Sequence, residues 1–149
     1  MSLDRIFDIA GSGMSAQSIR LNTTASNIAN AETASSSTGD VYRARKPVFA
    51  AVQHDAMKQA MGGDFLADTP ESKGVEVKGI LESDAPLEMR YQPDHPQANE
   101  QGYVYYPNVN VVEEMADMMS ASKAYETNVQ VADTTKRIFR NVLRLGQGS

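Results

Sequence analysis

Apolar residues recur every three or four positions near the start of the chain, which is the spacing of one side of an α-helix. Two glycines, Gly11 and Gly13, favour a kink or a close helix approach near Ser12. A seam of heptad type comprises Leu3, Phe7, Ala10, Met14, Gln17, Leu21, Thr24 and Ile28. A second apolar strip comprises Ile6, Ile9, Ala16 and Ile19. The pattern predicts a helix from Leu3 to Ile28 that packs against more than one neighbour.

The same periodicity returns at the C-terminal end, with stronger boundary signals. Asn110 is a suitable N-cap with Glu113 at the third helical position, and basic residues fill the turns before Gly146. The heptad seam comprises Val111, Met115, Met118, Ser122, Tyr125, Val129, Ala132, Lys136, Phe139 and Leu143, and a second strip comprises Val112, Met119, Val131, Ile138, Val142 and Leu145. A helix over 110–145 would be about 54 Å long, too long for so small a domain to bury. The two terminal helices are therefore predicted to pair as a coiled coil that needs further partners.

Between the helices, short alternating segments are separated by Gly, Pro, Ser and Asp. A β-hairpin is predicted from Val75–Leu81 and Leu87–Tyr91, joined by Ser83–Pro86, and a further strand is predicted at Val48–Val52. Loops are expected at Ser35–Asp40 and Met61–Asp64, and extended or turning backbone at Tyr91–Pro96 and Tyr105–Pro107. The predicted fold class is α+β. Its shaft domain combines the helices of 1–31 and 110–149, and 32–109 forms a small β-rich middle.

Composition narrows the kind of core that this chain can form. The chain has 149 residues, is 41% hydrophobic, lacks Trp and contains 8 methionines, so helix seams are favoured over a large globular interior. It has no cysteine, which excludes disulfides, thiolate metal sites and cysteine nucleophiles. Acidic and basic residues balance in both end segments, so the net charge of −5 arises between 32 and 109. Neutral ends can pack beside many copies without repulsion, and an acidic middle argues against nucleic acid as a partner.

Candidate catalytic chemistry is sparse. His54 and His95 have no metal-type spacing, and Asp94 beside His95 lies between prolines, which indicates an exposed turn more than a hydrolytic pair. The glycine pairs lack the Lys-Ser/Thr context of a phosphate loop. We therefore expect no enzyme activity, no catalytic residue, no cofactor and no metal site. A small hydrolase that uses His95 is the weakest hypothesis.

Two further sets of residues suggest contacts with other chains. Met115, Met118 and Met119 combine the helical spacing of a seam with the adaptable side chains of a binding surface. Asn27 and Asn30 lie about one turn apart near the predicted end of the first helix. They could cap or terminate that helix, or hydrogen-bond across an interface and fix its register, and the spacing favours neither role.

Two segments carry a resemblance to a known family. The N-terminal segment Ala25-Ser26-Asn27-Ile28-Ala29-Asn30-Ala31-Glu32-Thr33, preceded by Ser12-Gly13-Met14-Ser15-Ala16-Gln17, resembles the signature of flagellar rod, hook and related axial proteins. The C-terminal segment Met115-Ala116-Asp117-Met118-Met119-Ser120-Ala121-Ser122-Lys123-Ala124-Tyr125-Glu126-Thr127-Asn128-Val129 is similar to their C-terminal helix. Within the group, the order of residues from Tyr91 to Asn110 is similar to that of proximal rod proteins.

The resemblance implies a structural subunit of the bacterial flagellar basal-body rod, which assembles in the periplasm and transmits torque from motor to hook. It also implies export through the flagellar type III apparatus without a cleaved signal, and terminal segments that order only on assembly. Ordering of the terminal segments only on assembly agrees with the energetics. A helix with two apolar sides and no partner has little to offset the loss of conformational entropy, which costs about 1–2 kcal/mol per residue. No secretory signal or membrane-spanning stretch is visible in the sequence, which by ordinary routes would keep the protein inside the cell.

The expected partners are copies of the chain itself, other rod proteins, the flagellar base and the export apparatus, with no nucleic acid and no membrane insertion. The expected assembly interface comprises Leu3, Phe7, Met14, Leu21, Ser26, Asn27, Ile28, Asn30, Met115, Met118, Met119, Tyr125, Asn128, Val129, Phe139 and Leu143. The alternative hypothesis is a cytoplasmic coiled-coil adaptor with a fixed stoichiometry, which would form a discrete oligomer and not an open-ended polymer.

Overall fold

A computed structural model describes residues 3–53 and 72–147 of the chain. Two long helices lie at the ends, α1 over Leu3–Asn30 and α2 over Val111–Gln147. Four strands lie between them, β1 over Arg45–Gln53, β2 over Ser72–Glu82, β3 over Glu88–Tyr91 and β4 over Tyr103–Tyr106. The predicted α+β class is confirmed, and both helices extend about two residues beyond the predicted C-terminal ends.

The two helices pack side by side in antiparallel directions. Arg20 Nη2 donates to Asp117 Oδ1 at 2.7 Å, and nearer the start of α1 the backbone of Gly13 lies against Asn128. A Cβ atom at Gly13 would stand 2.8 Å from Asn128 Nδ2, so the glycine leaves room for the Asn128 side chain between the two helices. The close helix approach predicted around Ser12 is confirmed, and so is the pairing of the terminal helices.

The seam predicted for α1 agrees with the burial of its side chains. Ala10 and Thr24 are buried, and Met14 and Leu21 are half-buried, whereas Phe7 at the start of the helix remains exposed. The strands of the first sheet contact a neighbouring part of the α1 surface, through Ser12 and Asn27. The expectation of more than one neighbour for this helix is therefore met partly within the chain itself.

The seam predicted for α2 agrees only in part with the burial of its side chains. Met118 and Ala132 of the seam are half-buried, but the buried positions of α2 are Glu114, Ala121 and Thr135, and Met115 of the seam is about half exposed. Small and polar side chains let α2 lie close to α1, and a close approach leaves no room for the larger apolar groups. The helix is thus rotated from the predicted orientation, and its largest apolar side chains face away from α1.

The strands form two separate antiparallel pairs. β1 pairs with β2, with Arg45 opposite Glu82 and Ala51 opposite Val75, and β3 pairs with β4. The first pair lies along α1, where Ser12 Oγ accepts a hydrogen bond from the Val75 amide at 3.2 Å. The predicted strand at Val48–Val52 lies inside β1. The middle of the chain is therefore β-rich, as predicted, and contains two small antiparallel sheets.

The predicted pairing of 75–81 with 87–91 is wrong. The end of β2 continues toward β1 instead, because the Ser83 amide donates to Ala44 O at 2.8 Å. Asn108 Nδ2 then donates to the carbonyls of Ser83 and Ala85, at 3.2 and 2.8 Å. These hydrogen bonds fix the turn after β2 against Ala44 and Asn108. The chain therefore does not fold back along β2, and β3 pairs with β4.

The connecting segments agree with the remaining predictions. Bends and turns occupy most of Ser35–Asp40, and turns follow β3 in the segment that ends at Pro96. The predicted loop Met61–Asp64 lies outside the described residues, as does His54. The small core between helices and strands contains Ala44 and Val104, both buried. A core of this size positions the helices and leaves most of α2 uncovered.

Candidate functional site

Many of the exposed large apolar side chains of the described residues lie on α2. We call those in its N-terminal part the outer strip, which comprises Val112, Met115, Met119, Tyr125 and Val129, all of them exposed. The exposed fraction reaches 76% at Val112 and 74% at Met119. Exposed apolar surface that follows one helix for several turns is characteristic of a surface that contacts another chain.

The final turns of α2 form a second exposed region, which we call the overhang and which comprises residues 136–147. Gly13 lies opposite Asn128 in an antiparallel pair, so Leu3, the first residue of α1, lies opposite about residue 138 of α2. Every residue from 136 to 146 is exposed. The overhang combines apolar residues with bases, namely Ile138, Phe139, Val142, Leu143 and Leu145 with Lys136, Arg137, Arg140 and Arg144.

The structure distributes the expected interface residues between surface and interior. Exposed ones are Phe7, Met115, Met119, Tyr125, Val129, Phe139 and Leu143, and half-buried ones are Met14, Leu21, Ser26, Ile28, Asn30, Met118 and Asn128. The side chain of Leu3 lies outside the described positions. Asn27 is fully buried inside the chain, so it is not on a surface that a neighbour can contact. The interface as a whole remains a prediction.

Asn27 joins α1 to the start of β1. Its Nδ2 donates to Arg45 O at 2.8 Å, and its Oδ1 accepts from Arg45 N at 2.9 Å and from Tyr42 Oη at 2.8 Å. An amide that exchanges two hydrogen bonds with one backbone residue fixes the position of the strand along the helix. Of the two proposed roles, Asn27 thus fixes a register, but the interface that it crosses is internal.

Asn30 has the other of the two roles. It is the last residue of α1, and its Nδ2 donates to Ser26 O at 2.8 Å. Its carbonyl accepts from both the amide and the hydroxyl of Thr33, at 3.1 and 2.7 Å. These local bonds satisfy carbonyl groups at the helix end, which agrees with a terminating role.

The first sheet is attached to α1 at a second point, near the start of the helix. Ser12 Oγ donates to Ile9 O at 2.9 Å while it accepts from Val75. Gly74 has φ of 127°, and a Cβ atom there would overlap Ser12 Oγ. Glycine is required at this position both for its backbone conformation and for the close approach. The sheet is therefore held on α1 near both ends of its length.

The start of α2 is fixed by a cap and by a charge pair. Asn110 Oδ1 accepts from the amides of Val112 and Glu113, at 3.1 and 3.4 Å, which confirms the predicted N-cap. The Glu113 carboxylate accepts from Lys46 Nζ at 3.0 Å. This hydrogen bond raises the pKa of Lys46 above its ordinary value, and the nearby carboxylates of Asp117 and Glu114 add to the rise. The pair connects α2 to β1.

The contacts that sequence reasoning missed are those made by Asn108, Tyr42 and the backbone of Arg45. Asn108 Oδ1 accepts from Ala44 N at 2.8 Å in addition to its two donated bonds. None of these residues belongs to a periodic pattern, and their partners lie far away in the sequence. The extended or turning backbone predicted at Tyr105–Pro107 ends just before Asn108, but it gave no indication of what the Asn108 amide binds.

Chemical groups for catalysis are few in the described ranges. His95 Nδ1 accepts from the Gln97 amide at 3.1 Å, in an open depression of about 520 Å³ lined by Tyr91 to Pro96. Residues 3–53 and 72–147 contain no group of three or more His, Asp or Glu side chains arranged to hold a metal ion. Among the same residues, neither helix has an apolar stretch sufficient to cross a bilayer.

Comparisons with known proteins agree at both ends and over the whole length. A family model for flagella basal body rod proteins matches residues 7–34, and one for the C-terminal region of flagellar basal body rod FlgEFG proteins matches residues 100–145. The flagellar basal-body rod protein FlgC of Salmonella typhimurium is 45% identical over 148 residues, which cover 99% of this chain and 100% of that protein. FlgC of Borreliella burgdorferi is 39% identical over 153 residues, with the same coverage.

Proposed function

The chain belongs to the flagellar basal-body rod protein family and is FlgC-like, and from this premise we propose that its paired helices pack into the shaft of the proximal rod. The protein is a structural subunit of the basal-body rod and assembles with other flagellar rod components. The assignment to the proximal part, and to contacts made through the terminal helices, is our own proposal.

The observation that carries this proposal is the exposed outer strip of α2. A single helix of 37 residues presents large apolar side chains over most of its length, and α1 covers only its other side. Full burial of such a side chain contributes about 1.5–3 kcal/mol. Five residues of the outer strip therefore offer a driving force for assembly that the isolated chain does not use.

The proposed mechanism is mechanical. Residues 1–31 and 110–149 form the shaft, and 32–109 forms an outer part whose acidic surface faces solvent. Asn27 and Ser12 fix the first sheet along α1, so the two parts of one subunit turn together. A rod built from such subunits transmits torque from motor to hook through packed helices and not through flexible joints.

We further propose that the subunit acts without catalysis, in the periplasm, next to copies of itself and above the flagellar base. It reaches this place through the flagellar type III export apparatus without cleavage of a signal. N-terminal sequencing of the chain in purified basal bodies tests the last point, because a cleaved signal would remove residues that belong to α1. The cytoplasmic adaptor hypothesis predicts that the chain is absent from basal bodies.

Electron microscopy of basal bodies from cells that lack this chain tests the assignment. We expect structures without a continuous rod, and full rods after the wild-type gene is restored. A control variant with Lys123→Ala, a change at an exposed position outside the outer strip, is expected to restore rods as well as wild type. An intact rod in the deletion strain would refute the proposed function.

Limited proteolysis tests whether the terminal helices order on assembly. We expect protease to remove both terminal segments from dilute monomer and to leave them intact in the rod, since apolar sides without partners cannot offset the entropy of ordering. Termini that resist digestion equally in dilute monomer would contradict this part of the proposal.

A further inference from the structure

Methionine is the only source of sulfur in this chain. The sequence has 8 methionines, no cysteine and no tryptophan, so the thioethers are the side chains that react most readily with peroxide or hypohalous acid. Five of them belong to the described residues. Met14 and Met118 are half-buried, whereas Met89, Met115 and Met119 are 54%, 53% and 74% exposed. Exposure therefore separates three accessible thioethers from two less accessible ones.

Two of the accessible thioethers are neighbours on the outer strip. Met115 and Met119 are four residues apart on α2, so they lie on the same side of the helix, about 6 Å apart along its axis. Met118 lies close to the side on which Glu114 and Ala121 are buried, at 100° per residue. The outer strip therefore carries two reactive sulfur atoms on the surface that we propose for assembly.

Oxidation changes the polarity of a thioether without changing its charge. The sulfur lone pair attacks one oxygen of hydrogen peroxide, the O–O bond breaks, and the sulfur is oxidised to a sulfoxide while the peroxide is reduced. The proton on the transferred oxygen passes to the departing hydroxide, which leaves as water. The product carries a hydrogen-bond acceptor, and burial of that acceptor in an apolar contact is unfavourable unless a donor meets it.

We propose that Met115 and Met119 form an oxidation-sensitive site that decides whether a free subunit can join the rod. As thioethers both side chains are apolar and adapt to a neighbouring surface. As sulfoxides they would bring two adjacent acceptors into that contact, and both would lose their hydrogen bonds to water. The inference rests on the proposed function, because it requires that assembly buries the outer strip.

The site reacts before assembly and is covered afterwards. Both thioethers are exposed in the folded chain, and unfolding of α2 in the free subunit would expose them further. Oxidised copies are then rejected, and incorporated copies are protected. A thiol-dependent reductase reverses the modification, because it removes the oxygen as water while two thiols become a disulfide. The oxidation state of two side chains thus sets how many free subunits can assemble.

Paired substitutions separate the effect of polarity from the loss of sulfur. Met115→Gln with Met119→Gln places two polar amides of similar length where the sulfoxides would lie. Because each amide must give up hydrogen bonds to water, we expect about tenfold fewer rods per cell. Met115→Leu with Met119→Leu keeps the strip apolar and should leave the number of rods unchanged. Met89→Gln is the matched control, since Met89 is as exposed as Met115 but lies on β3, and it should also leave rods unchanged.

Mass spectrometry of the wild-type chain provides a second measurement that needs no substitution. Cells that lack methionine sulfoxide reductases accumulate the chain, are treated with hydrogen peroxide and are washed, and the other rod proteins are induced only afterwards. Unassembled chain and purified basal bodies are then digested separately. We expect sulfoxide at Met115 and Met119 to be depleted from basal bodies relative to the unassembled chain, and sulfoxide at Met89 to be equally frequent in both.

Three results would overturn the inference. The first is a glutamine double variant with as many rods as wild type, and the second is a leucine double variant as defective as the glutamine one. The third is sulfoxide at Met115 and Met119 that is equally frequent in basal bodies and in the unassembled chain. All three differ from failure of the proposed function, in which the untreated wild-type chain would be missing from purified basal bodies.

Discussion

Replacement of Asn27 by Ala should release β1 from α1. The change removes one donor and one acceptor that together make three hydrogen bonds, two with the backbone of Arg45 and one with Tyr42 Oη. Asn27 is fully buried, so the amide and carbonyl of Arg45 that lose their partner cannot bond to water unless the structure opens locally. At about 1 kcal/mol for each bond, the loss is about 3 kcal/mol. Since 1.4 kcal/mol corresponds to a tenfold change, local opening becomes about 100-fold more frequent.

Amide hydrogen exchange of assembled rods, followed by mass spectrometry, measures this opening directly. We expect peptides that span residues 42–48 to exchange about 100-fold faster in Asn27→Ala rods than in wild type. The control is Asn30→Ala, which removes a single local bond to Ser26 O and should change exchange in the same peptides less than about tenfold. Equal exchange of these peptides in Asn27→Ala and wild-type rods would refute the assigned role.

Three further predictions concern other contacts. Gly11→Ala should stabilise the helix by about 1 kcal/mol because no atom of the described residues lies within 4 Å of the added Cβ. Gly13→Ala should gain less, because its Cβ would displace the Asn128 side chain, and the thermal midpoints of the two variant rods measure the difference. The raised pKa of Lys46 means that its bond to Glu113 stabilises the fold below the ordinary lysine pKa and is lost as pH rises through the raised value. Rods of Lys46→Met should therefore lose less stability than wild-type rods as pH rises through the alkaline range. Rod disassembly measured against pH tests this, and an equal loss in both would contradict it. His95→Ala should leave swimming unchanged, and a motility defect with normal rods would revive a chemical role for this residue.

Much of the helical architecture was predictable from the sequence because its signals are local. The 3.6-residue periodicity, the Asn110 cap and the basic residues before Gly146 set the limits of both helices to within about two residues. The glycine at position 13 likewise indicated a close approach of helices before its partner was known. The helix signals depend on atoms within one or two turns, so they can be read from the sequence without knowledge of distant contacts.

The strand pairing was not predictable in the same way. An alternating segment such as 75–81 shows that one side of a strand is apolar, but it does not specify the partner strand. That choice depends on Asn108, which lies 25 residues from Ser83 and holds the intervening turn in place. Contacts across such distances depend on the whole fold, and a short turn alone did not outweigh them.

What the sequence determined by itself was that two neutral, apolar helices flank an acidic β-rich middle and need other chains. Only the tertiary structure decided which side of α2 meets α1. The heptad pattern groups Met115 with Tyr125 on one side of the helix, yet the side that packs is the one whose small residues allow a close approach, as Ala121 does. As a result the large apolar residues remain on the outside, where assembly can use them. The structure also shows that Asn27, a candidate for a contact with another chain, makes its contacts inside the subunit. Its three partner atoms, in Arg45 and Tyr42, come together only when β1 packs on α1.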